Sequence, residues 1–204
     1  MMDIYFLRHG ETKWNTLGRI QGQKNTKLSE KGVKQAYLTA LGMKQIPFDV
    51  IFSSPLERAY QTARIVRGER DISIILDDRL KEIGFGADEG RYKDRILNNP
   101  SYTRKQKYFN DPEHYRGARG GEGFQEVNKR TWSFVTEVLL PLEGKKNCVL
   151  VASHVNAIRS FILQLNGRPL ADIKKTTFNQ NCAVAKFTCQ QGKISMDFES
   201  KIFY

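Results

Sequence analysis

The segment IYFLRHGETKWN, residues 4–15, joins an apolar run to a cluster of polar and charged side chains. Ile4 to Leu7 is typical of a buried β-strand, and Arg8 and His9 follow directly at its end. Arginine offers a planar, permanently charged set of donors that matches phosphate oxygens. A neutral histidine can act as a nucleophile near pH 7, and Gly10 would let a ligand approach the backbone closely. The segment therefore predicts a strand that ends in a phosphate site, although an ordinary strand end can also carry an Arg-His pair.

Apolar, β-branched runs alternate with helical patterns along the rest of the chain, which favours an α/β sandwich with a largely parallel sheet. Strands are predicted at Ile4–Leu7, Val50–Ser53, Ser73–Leu76, Cys148–Ala152, Ala183–Thr188 and Ile194–Phe198. Helices are predicted from the N-cap Ser29 through Leu41, from Pro55 in a first turn through Val66, and from Asn156 to Leu165. The Gln191-Gly192 turn predicts an antiparallel edge hairpin. We expect a three-layer α/β/α sandwich with a mostly parallel sheet and an antiparallel edge strand.

Length and composition limit the class of protein. A chain of 204 residues with 40% hydrophobic content suits one domain over residues 1–204. No apolar stretch approaches the roughly 18 residues of a membrane span, and the N-terminus has no signal-peptide pattern. We therefore expect a cytoplasmic protein. The three cysteines, Cys148, Cys182 and Cys189, form no CxxC pair and are interpreted as reduced thiols of the core.

The excess of basic residues raises the question of an anionic partner. There are 33 Lys and Arg against 22 Asp and Glu, a formal net charge of +11. The basic residues are spread along the chain, and no helix-turn-helix, zinc-finger or RNP-type signature is present. We therefore expect a small anionic phosphorylated substrate, and neither a nucleic acid nor a membrane as partner. A homodimer is compatible with the sequence.

Three predicted strands deliver the same kind of side chain at their ends. The first ends in Arg8 and His9, the strand VIFSS leads into a helix that carries Arg58, and CVLVAS ends in His154. Ligands of open α/β sheets bind outside the carboxyl ends of the strands. We therefore expect these four side chains to lie close together.

Six motifs carry a resemblance to a known family. In chain order they are RHGETKWN, GRIQG, SSPLERAYQTA, LKEIGFGADEG, GGEGFQEV and VASHVNAIR. They span the chain from Asp3 to about Arg159, and the first and third together are highly specific. The chain resembles the histidine phosphatase superfamily, in its phosphoglycerate-mutase-like branch.

The resemblance implies a role for each of five residues. It makes His9 the nucleophile, which takes the phosphoryl group as a phosphohistidine, and Glu82 the acid that protonates the leaving alcohol and later activates water. It assigns the phosphate pocket to Arg8, Arg58 and His154. The chemistry of these side chains agrees, because their donors would hold the charge of the phosphoryl oxygens during transfer. Neither a metal ion nor a cofactor is then required.

Further substrate-binding residues are implied by weaker matches. Asn15, Gln21 and Gly22 match positions that line the site, and Thr12 would donate its hydroxyl to the first loop or to the ligand. Thr12 and Asn15 could equally be turn-forming residues. Val155 stands where the family commonly has glycine after the second histidine, so it is predicted to form a bulkier pocket wall. Two further departures, Asp88 for an aromatic residue and Gly123 for a serine, also concern the shape of the pocket.

The alternation of strands and helices lapses in the 91–125 segment. This stretch interleaves five aromatic residues with basic ones, among them Arg95, Arg104, Lys105 and Arg116. An insertion of this length in a compact domain is usually functional or mobile. Two interpretations stay open: a lid that selects the non-reacting part of the substrate, or a surface excursion with aromatic side chains packed on the core.

The sequence thus predicts a metal-independent phosphomonoester hydrolase that acts on a small phosphorylated metabolite. One alternative is a cofactor-dependent phosphoglycerate mutase, but the classical mutases have a longer middle insertion and a tryptophan-containing segment in place of GRIQG. The other alternative is a non-catalytic phosphate-ligand binding protein. A binding protein would not need the nucleophile His9 and the acid Glu82 together.

Overall fold

The computed structural model of the protein describes residues 1–99 and 101–203 and is built around a six-stranded sheet. The strands in chain order are β1 (Met2–Arg8), β2 (Val50–Ser53), β3 (Ile74–Leu76), β4 (Cys148–Ser153), β5 (Val184–Gln190) and β6 (Lys193–Lys201). Their spatial order is β3-β2-β4-β1-β5-β6. The first four strands pair in parallel, whereas β5 pairs antiparallel with β1 and β6 antiparallel with β5. The predicted mostly parallel sheet with an antiparallel edge hairpin is confirmed.

Helices cover both faces of this sheet. They are α1 (Lys13–Thr16), α2 (Glu30–Gly42), α3 (Glu57–Arg67), α4 (Lys93–Leu97), α5 (Thr103–Asn110), α6 (Phe124–Phe134) and α7 (Val155–Leu165). A π-helical turn, Val135–Leu139, extends α6, and short 3₁₀ turns lie at Asp78–Leu80, Gly86–Asp88, Pro112–His114, Leu140–Leu142 and Leu170–Lys174. Among the described residues, no helix has the length and apolar character needed to cross a membrane.

The alternation of side chains along β1 divides the core into two layers. Ile4 and Phe6 pack with α6 and α7 on one face, while Tyr5 and Leu7 pack with α2 and α3 on the other. Successive side chains of a strand point to opposite faces, so a strand that is apolar throughout must be covered on both sides. This gives the three-layer α/β/α sandwich predicted from the sequence. The cysteines Cys148, Cys182 and Cys189 are free and buried, as expected.

Two predicted helix starts have different outcomes. Ser29 caps α2 as predicted, because its hydroxyl oxygen accepts a hydrogen bond from the Gly32 amide at 3.0 Å. Pro55 was expected in the first turn of α3, but this is wrong, since the helix begins at Glu57. The residues before it form a separate turn, in which the Ser54 hydroxyl accepts the Leu56 amide at 3.3 Å.

The 91–125 segment contains two helices, α4 and α5, that the sequence did not predict. α5 has no buried residue, so it lacks the apolar periodicity that marks a helix in a sequence. Aromatic packing ties the segment to the core instead. The ring centroid of Tyr108 lies 5.2 Å from that of Tyr115 and 5.3 Å from that of Phe124 at the start of α6.

Candidate active site

The carboxyl ends of three neighbouring strands bring the predicted side chains together. β1 and β4 pair with Arg8 opposite Ser153, so His9 and His154 follow side by side. Their ring centroids are 5.2 Å apart. β2 lies on the other side of β4, and Arg58 follows it in the first turn of α3. The topology therefore assembles the cluster expected from the strand ends.

His9 is held as a neutral imidazole with one free nitrogen. Its Nδ1 lies 2.7 Å from the Gly10 carbonyl oxygen, which can only accept, so Nδ1 carries the proton. Nε2 then keeps its lone pair. Burial lowers the pKa of His9 well below the ordinary value, and the nearby charges of Arg58 and Arg8 lower it further. The Asn181 side chain donates to the His9 carbonyl at 3.0 Å and fixes the backbone. This arrangement suits a nucleophile at neutral pH.

Gly10 is required by packing within the protein. A Cβ at this position would clash with the Gly32 carbonyl of α2, and the Gly10 amide donates to Thr62 Oγ1 at 3.0 Å. Gly22 has a φ of +53°, and a Cβ there would clash with the Glu89 carboxylate. The absence of a side chain at Gly10 therefore allows α2 to approach the backbone closely.

Two buried guanidinium groups give the site its positive charge. Arg58 donates to the carbonyls of Gly22 at 2.7 Å and Lys24 at 2.9 Å, and Arg8 donates to the carbonyl of Asn179. The Nε atoms of both arginines are buried and have no hydrogen-bond partner among the described residues. Burial lowers the pKa of each arginine to about 10, so both stay charged at neutral pH. Buried charges usually have a partner, which makes this cluster suited to an anion.

His154 is fully buried and is oriented by a residue that the sequence analysis missed. Its Nε2 lies 2.8 Å from Ser54 Oγ, and its Nδ1 is buried without a partner among the described residues. Burial lowers the pKa of His154 well below the ordinary value, with further lowering by Arg58 and His9, so the ring is neutral. When Ser54 donates to Nε2, Nδ1 carries the proton and can donate to a ligand. The position of Ser54 at the end of VIFSS is the signal that could have identified it.

Glu82 lies at the N-terminus of α7. The carboxylate is buried, and its Oε1 accepts the Ile83 amide at 2.9 Å and the Asn156 amide at 3.2 Å. Asn156 is in the first turn of α7, where free amides and the helix dipole stabilise an anion. Glu82 also lines the same cavity as His9. Within residues 1–99 and 101–203, no three His, Cys, Asp or Glu side chains are grouped to hold a metal ion.

The weaker predictions fall into two groups. Asn15, Gln21 and Gly22 line the cavity, as does Val155 in the first turn of α7. Thr12 is fully buried away from the cavity wall and serves as the N-cap of α1. Its hydroxyl lies 2.8 Å from the side-chain oxygen of Gln21, which joins the first loop to the next one. The geometry of Thr12 therefore fits its interpretation as a loop residue.

The cavity between these loops has a volume of about 290 Å³, which suits a small ligand. The 91–125 segment lines it with Lys93, Tyr102, Arg104, Tyr108 and other residues, so it covers the site as well as packing on the core. Asp88 anchors this segment. Its buried carboxylate accepts a hydrogen bond from the Arg91 guanidinium at 2.8 Å and another from the Tyr102 hydroxyl. Five polar residues of the wall were not predicted from the sequence: Arg19, Lys93, Asn156, Arg159 and Lys174.

Comparison with known proteins agrees with this geometry. Residues 4–199 match the model of the histidine phosphatase superfamily, branch 1. The protein named Probable phosphoglycerate mutase GpmB of Yersinia pestis (strain Pestoides F) is 33% identical over 193 residues, which are 94% of this chain and 86% of the relative. The solved structure of Bacillus stearothermophilus YhfR has a TM-score of 0.90 and 29% identity, covering 98% of this chain and 96% of that one. The alpha-ribazole phosphatase from Shigella flexneri has a TM-score of 0.87 and 26% identity, with the same two coverages. The chain therefore belongs to branch 1 of the histidine phosphatase superfamily.

Proposed function

We propose that this protein hydrolyses phosphate monoesters of small metabolites through a phosphohistidine on His9. The observation that carries the proposal is the hydrogen bond from Nδ1 of His9 to the Gly10 carbonyl. It leaves Nε2 unprotonated within a cluster that also holds the buried guanidinium groups of Arg8 and Arg58, whose Nε atoms have no partner among the described residues. A nucleophile beside two buried cations is the arrangement that phosphoryl transfer requires.

In the first step, Nε2 of His9 attacks phosphorus, a P–N bond forms and the P–O bond to the alcohol breaks. The electron pair of that bond stays on the leaving oxygen, which takes a proton from the carboxylic acid of Glu82. Arg8, Arg58 and Nδ1 of His154 donate to the phosphoryl oxygens and stabilise their charge. These donors are held by the protein before the substrate binds, so little reorganisation accompanies the reaction.

In the second step, water attacks the phosphohistidine and loses a proton to the Glu82 carboxylate. The P–N bond breaks, its electron pair returns to Nε2, and inorganic phosphate is released with Glu82 protonated again. Glu82 therefore acts first as an acid and then as a base. Asn156 and Ile83 stabilise its anionic form between the two steps through their amides.

The guanidinium groups take the part that a metal ion has in other phosphoryl-transfer enzymes. Arg8 and Arg58 already supply two positive charges in a buried setting, where their interaction with a phosphoryl group is only weakly screened. We therefore propose that activity needs no metal ion. Turnover that persists after exhaustive chelation supports this, whereas loss of turnover restored by zinc, magnesium or manganese would contradict it.

Hydrolysis is preferred over a mutase reaction because water can reach the site. The cavity wall includes exposed side chains of the 91–125 segment, among them Lys93, Arg104 and Phe109, so the cavity extends to solvent. A mutase must exclude water while the phosphohistidine waits for its second acceptor. The alpha-ribazole phosphatase of Shigella flexneri, one of several phosphatases among the similar structures, supports the same choice, while the relative GpmB keeps the mutase as the competing function.

The decisive experiment measures where the phosphoryl group goes. The protein is given a panel of phosphomonoesters and, separately, 3-phosphoglycerate with a trace of 2,3-bisphosphoglycerate. We expect phosphate release from at least one ester to be faster than exchange between the 2- and 3-isomers. Efficient isomer exchange with negligible phosphate release would show a mutase. Tight binding of phosphate esters without either reaction would show a binding protein.

A further inference from the structure

The segment that carries Glu82 has no regular secondary structure of its own. Residues 82–85 lie between the 3₁₀ turns Asp78–Leu80 and Gly86–Asp88. No helix or strand therefore fixes the backbone of the proton donor, although a general acid acts only within hydrogen-bond distance of the leaving oxygen. The peptide groups of this segment are bound instead by side chains from other parts of the chain.

Two of these side chains bind the carbonyl group of Glu82 itself. Gln23 Nε2 and Arg130 Nη2 each donate to it at 3.1 Å. Gly84, two residues further on, forms a pair of hydrogen bonds with Glu122. The Gly84 amide donates to the Glu122 carboxylate at 2.8 Å, and the Glu122 amide donates to the Gly84 carbonyl at 2.7 Å. The backbone is thus held at Glu82 and again at Gly84.

Glu122 and Arg130 form a forked ion pair. Arg130 donates from Nε to Oε1 of Glu122 at 2.9 Å and from Nη2 to Oε2 at 3.1 Å. Arg130 also donates to the Arg79 carbonyl at 2.6 Å, and Glu122 accepts a hydrogen bond from Gln23 Nε2 at 3.0 Å. The two side chains are only 24% and 17% exposed, so water screens the pair only in part. Paired donors of this kind fix the geometry of the two partners.

Neither member of this pair contacts the substrate cavity. The described wall of the cavity includes Glu82 and Asn156 but neither Glu122 nor Arg130. Any effect of the pair on catalysis must therefore act through the segment that it holds. The amides of Ile83 and Asn156 direct the carboxylate of Glu82, and they can do so only while the Glu82 backbone stays in place.

We propose that Glu122 and Arg130 are positioning residues, which hold the Glu82 backbone where its carboxyl group reaches the leaving oxygen. The inference rests on the proposed function, in which Glu82 is the proton donor, and deepens it. It also gives a role to the motif GGEGFQEV, whose first acidic residue is Glu122. Loss of the pair should therefore impair proton donation more than the attack by His9.

The test uses two kinds of ester that need the acid to different extents. p-Nitrophenolate leaves without protonation, whereas the oxygen of an alkyl ester must receive a proton as it leaves. kcat/KM is measured for p-nitrophenyl phosphate and for whichever of glycerol 3-phosphate, phosphoserine and 3-phosphoglycerate the wild type hydrolyses fastest. The alkyl-to-aryl ratio of kcat/KM is compared, because a misfolded fraction lowers both values equally and leaves their ratio unchanged.

We expect Arg130→Met and Glu122→Gln each to lower this ratio by about tenfold, which is part of what a well-placed general acid contributes. Arg130→Lys should give a ratio between those of the wild type and Arg130→Met, because lysine keeps the charge but not the fork. The matched control Lys129→Met, at the exposed neighbouring position of α6, should leave both kcat/KM values unchanged. In a Glu82→Gln background, Arg130→Met should not lower the ratio further. Arg130→Lys takes the place of Arg130→Met if the latter does not fold.

Three results would each overturn the positioning role and leave the proposed function standing: an unchanged ratio in Arg130→Met or Glu122→Gln, a comparable fall in Lys129→Met, or a further fall in the Glu82→Gln background. If no ester is hydrolysed, the proposed function fails. In that case, or if only the aryl ester is hydrolysed, the ¹³C NMR signal of the Glu82 carboxyl carbon decides, assigned by its loss in Glu82→Gln. This signal should shift in Arg130→Met and not in Lys129→Met, and an unshifted signal in Arg130→Met would overturn the positioning role.

Discussion

The hydrogen bonds of individual side chains determine the chemistry that this site can perform. The Gly10 carbonyl fixes the proton of His9 on Nδ1, and Ser54 lies against Nε2 of His154. One ring thus presents a lone pair and the other can present a proton. His9 is therefore suited to act as the nucleophile, and His154 to act as a hydrogen-bond donor to phosphate.

At the same scale, Glu82→Gln tests the assignment of the acid. A glutamine keeps the shape of the side chain but cannot supply a proton to the leaving oxygen. We expect kcat/KM for an alkyl phosphate, which reports the phosphoryl-transfer step alone, to fall by about 100-fold or more, as is usual when a general acid is removed. The p-nitrophenolate of p-nitrophenyl phosphate leaves without protonation, so kcat/KM for this aryl ester should fall much less.

The matched control for this substitution is Glu69→Gln, at an exposed position after α3. It should leave kcat/KM unchanged for both esters. Equal losses of kcat/KM on the alkyl and aryl esters in Glu82→Gln would mean that Glu82 is not the proton donor.

Among the secondary-structure elements, α5 is held by a buried acid and by aromatic packing. Asp88 accepts hydrogen bonds from Arg91 and from Tyr102, which lies just before α5. Because α5 has no buried residue of its own, its position rests on this anchor and on the stacking of Tyr108. The aromatic residue expected in place of Asp88 could not accept these bonds.

We therefore expect Asp88→Ala to loosen α5 while leaving the sheet intact. Loss of the carboxylate leaves Arg91 and the Tyr102 hydroxyl without their partner. Amide hydrogen exchange should become faster in α5 (Thr103–Asn110) and stay unchanged in α2 (Glu30–Gly42). The exposed neighbour Asp94→Ala serves as control. Unchanged exchange in α5 of Asp88→Ala would show that Asp88 is no anchor.

The elements differ in how well the sequence predicted them, for a physical reason. The buried strands were found because both of their faces are covered, which makes them continuously apolar. Pro55 was misplaced because a proline suits the turn before a helix as well as its first turn. α5 was missed because a helix held by Tyr108 and Asp88 has no apolar stripe of its own.

For the whole molecule, burial of two neutral histidines makes stability depend on pH. The folded protein keeps His9 and His154 neutral because burial lowers both pKa values well below 6.5. The unfolded chain takes up protons at the ordinary histidine pKa. As the pH falls below about 6.5, protonation therefore favours the unfolded state.

We expect the free energy of unfolding to fall between pH 6.5 and pH 5, by up to about 1.4 kcal/mol per pH unit for each of the two histidines. Urea titrations in phosphate-free buffer measure this slope, since bound phosphate would itself stabilise the folded state. His9→Gln removes one of the two contributions and should make the slope shallower. A wild-type stability that is constant over this range would contradict the burial of two neutral rings.

The site as a whole could be predicted only in part from the sequence. His9, Arg58, Glu82 and their neighbours lie within contiguous motifs, so local sequence was enough to indicate them. Lys174 has no such motif, because its place in the cavity depends on how the turn after α7 packs beneath Tyr108. Residues of the cavity wall that lie outside the motifs are brought in by tertiary structure, and a single sequence does not show that.

The most direct test of the central claim is to trap the covalent intermediate. The protein is mixed briefly with a phosphomonoester labelled in its phosphoryl group and quenched in alkali, because the P–N bond of phosphohistidine is labile to acid and stable to base. Peptide mapping should place the label on His9, with none in folded His9→Ala protein, which should also lack turnover. Label on a serine or cysteine, or hydrolysis that continues in His9→Ala, would contradict the account.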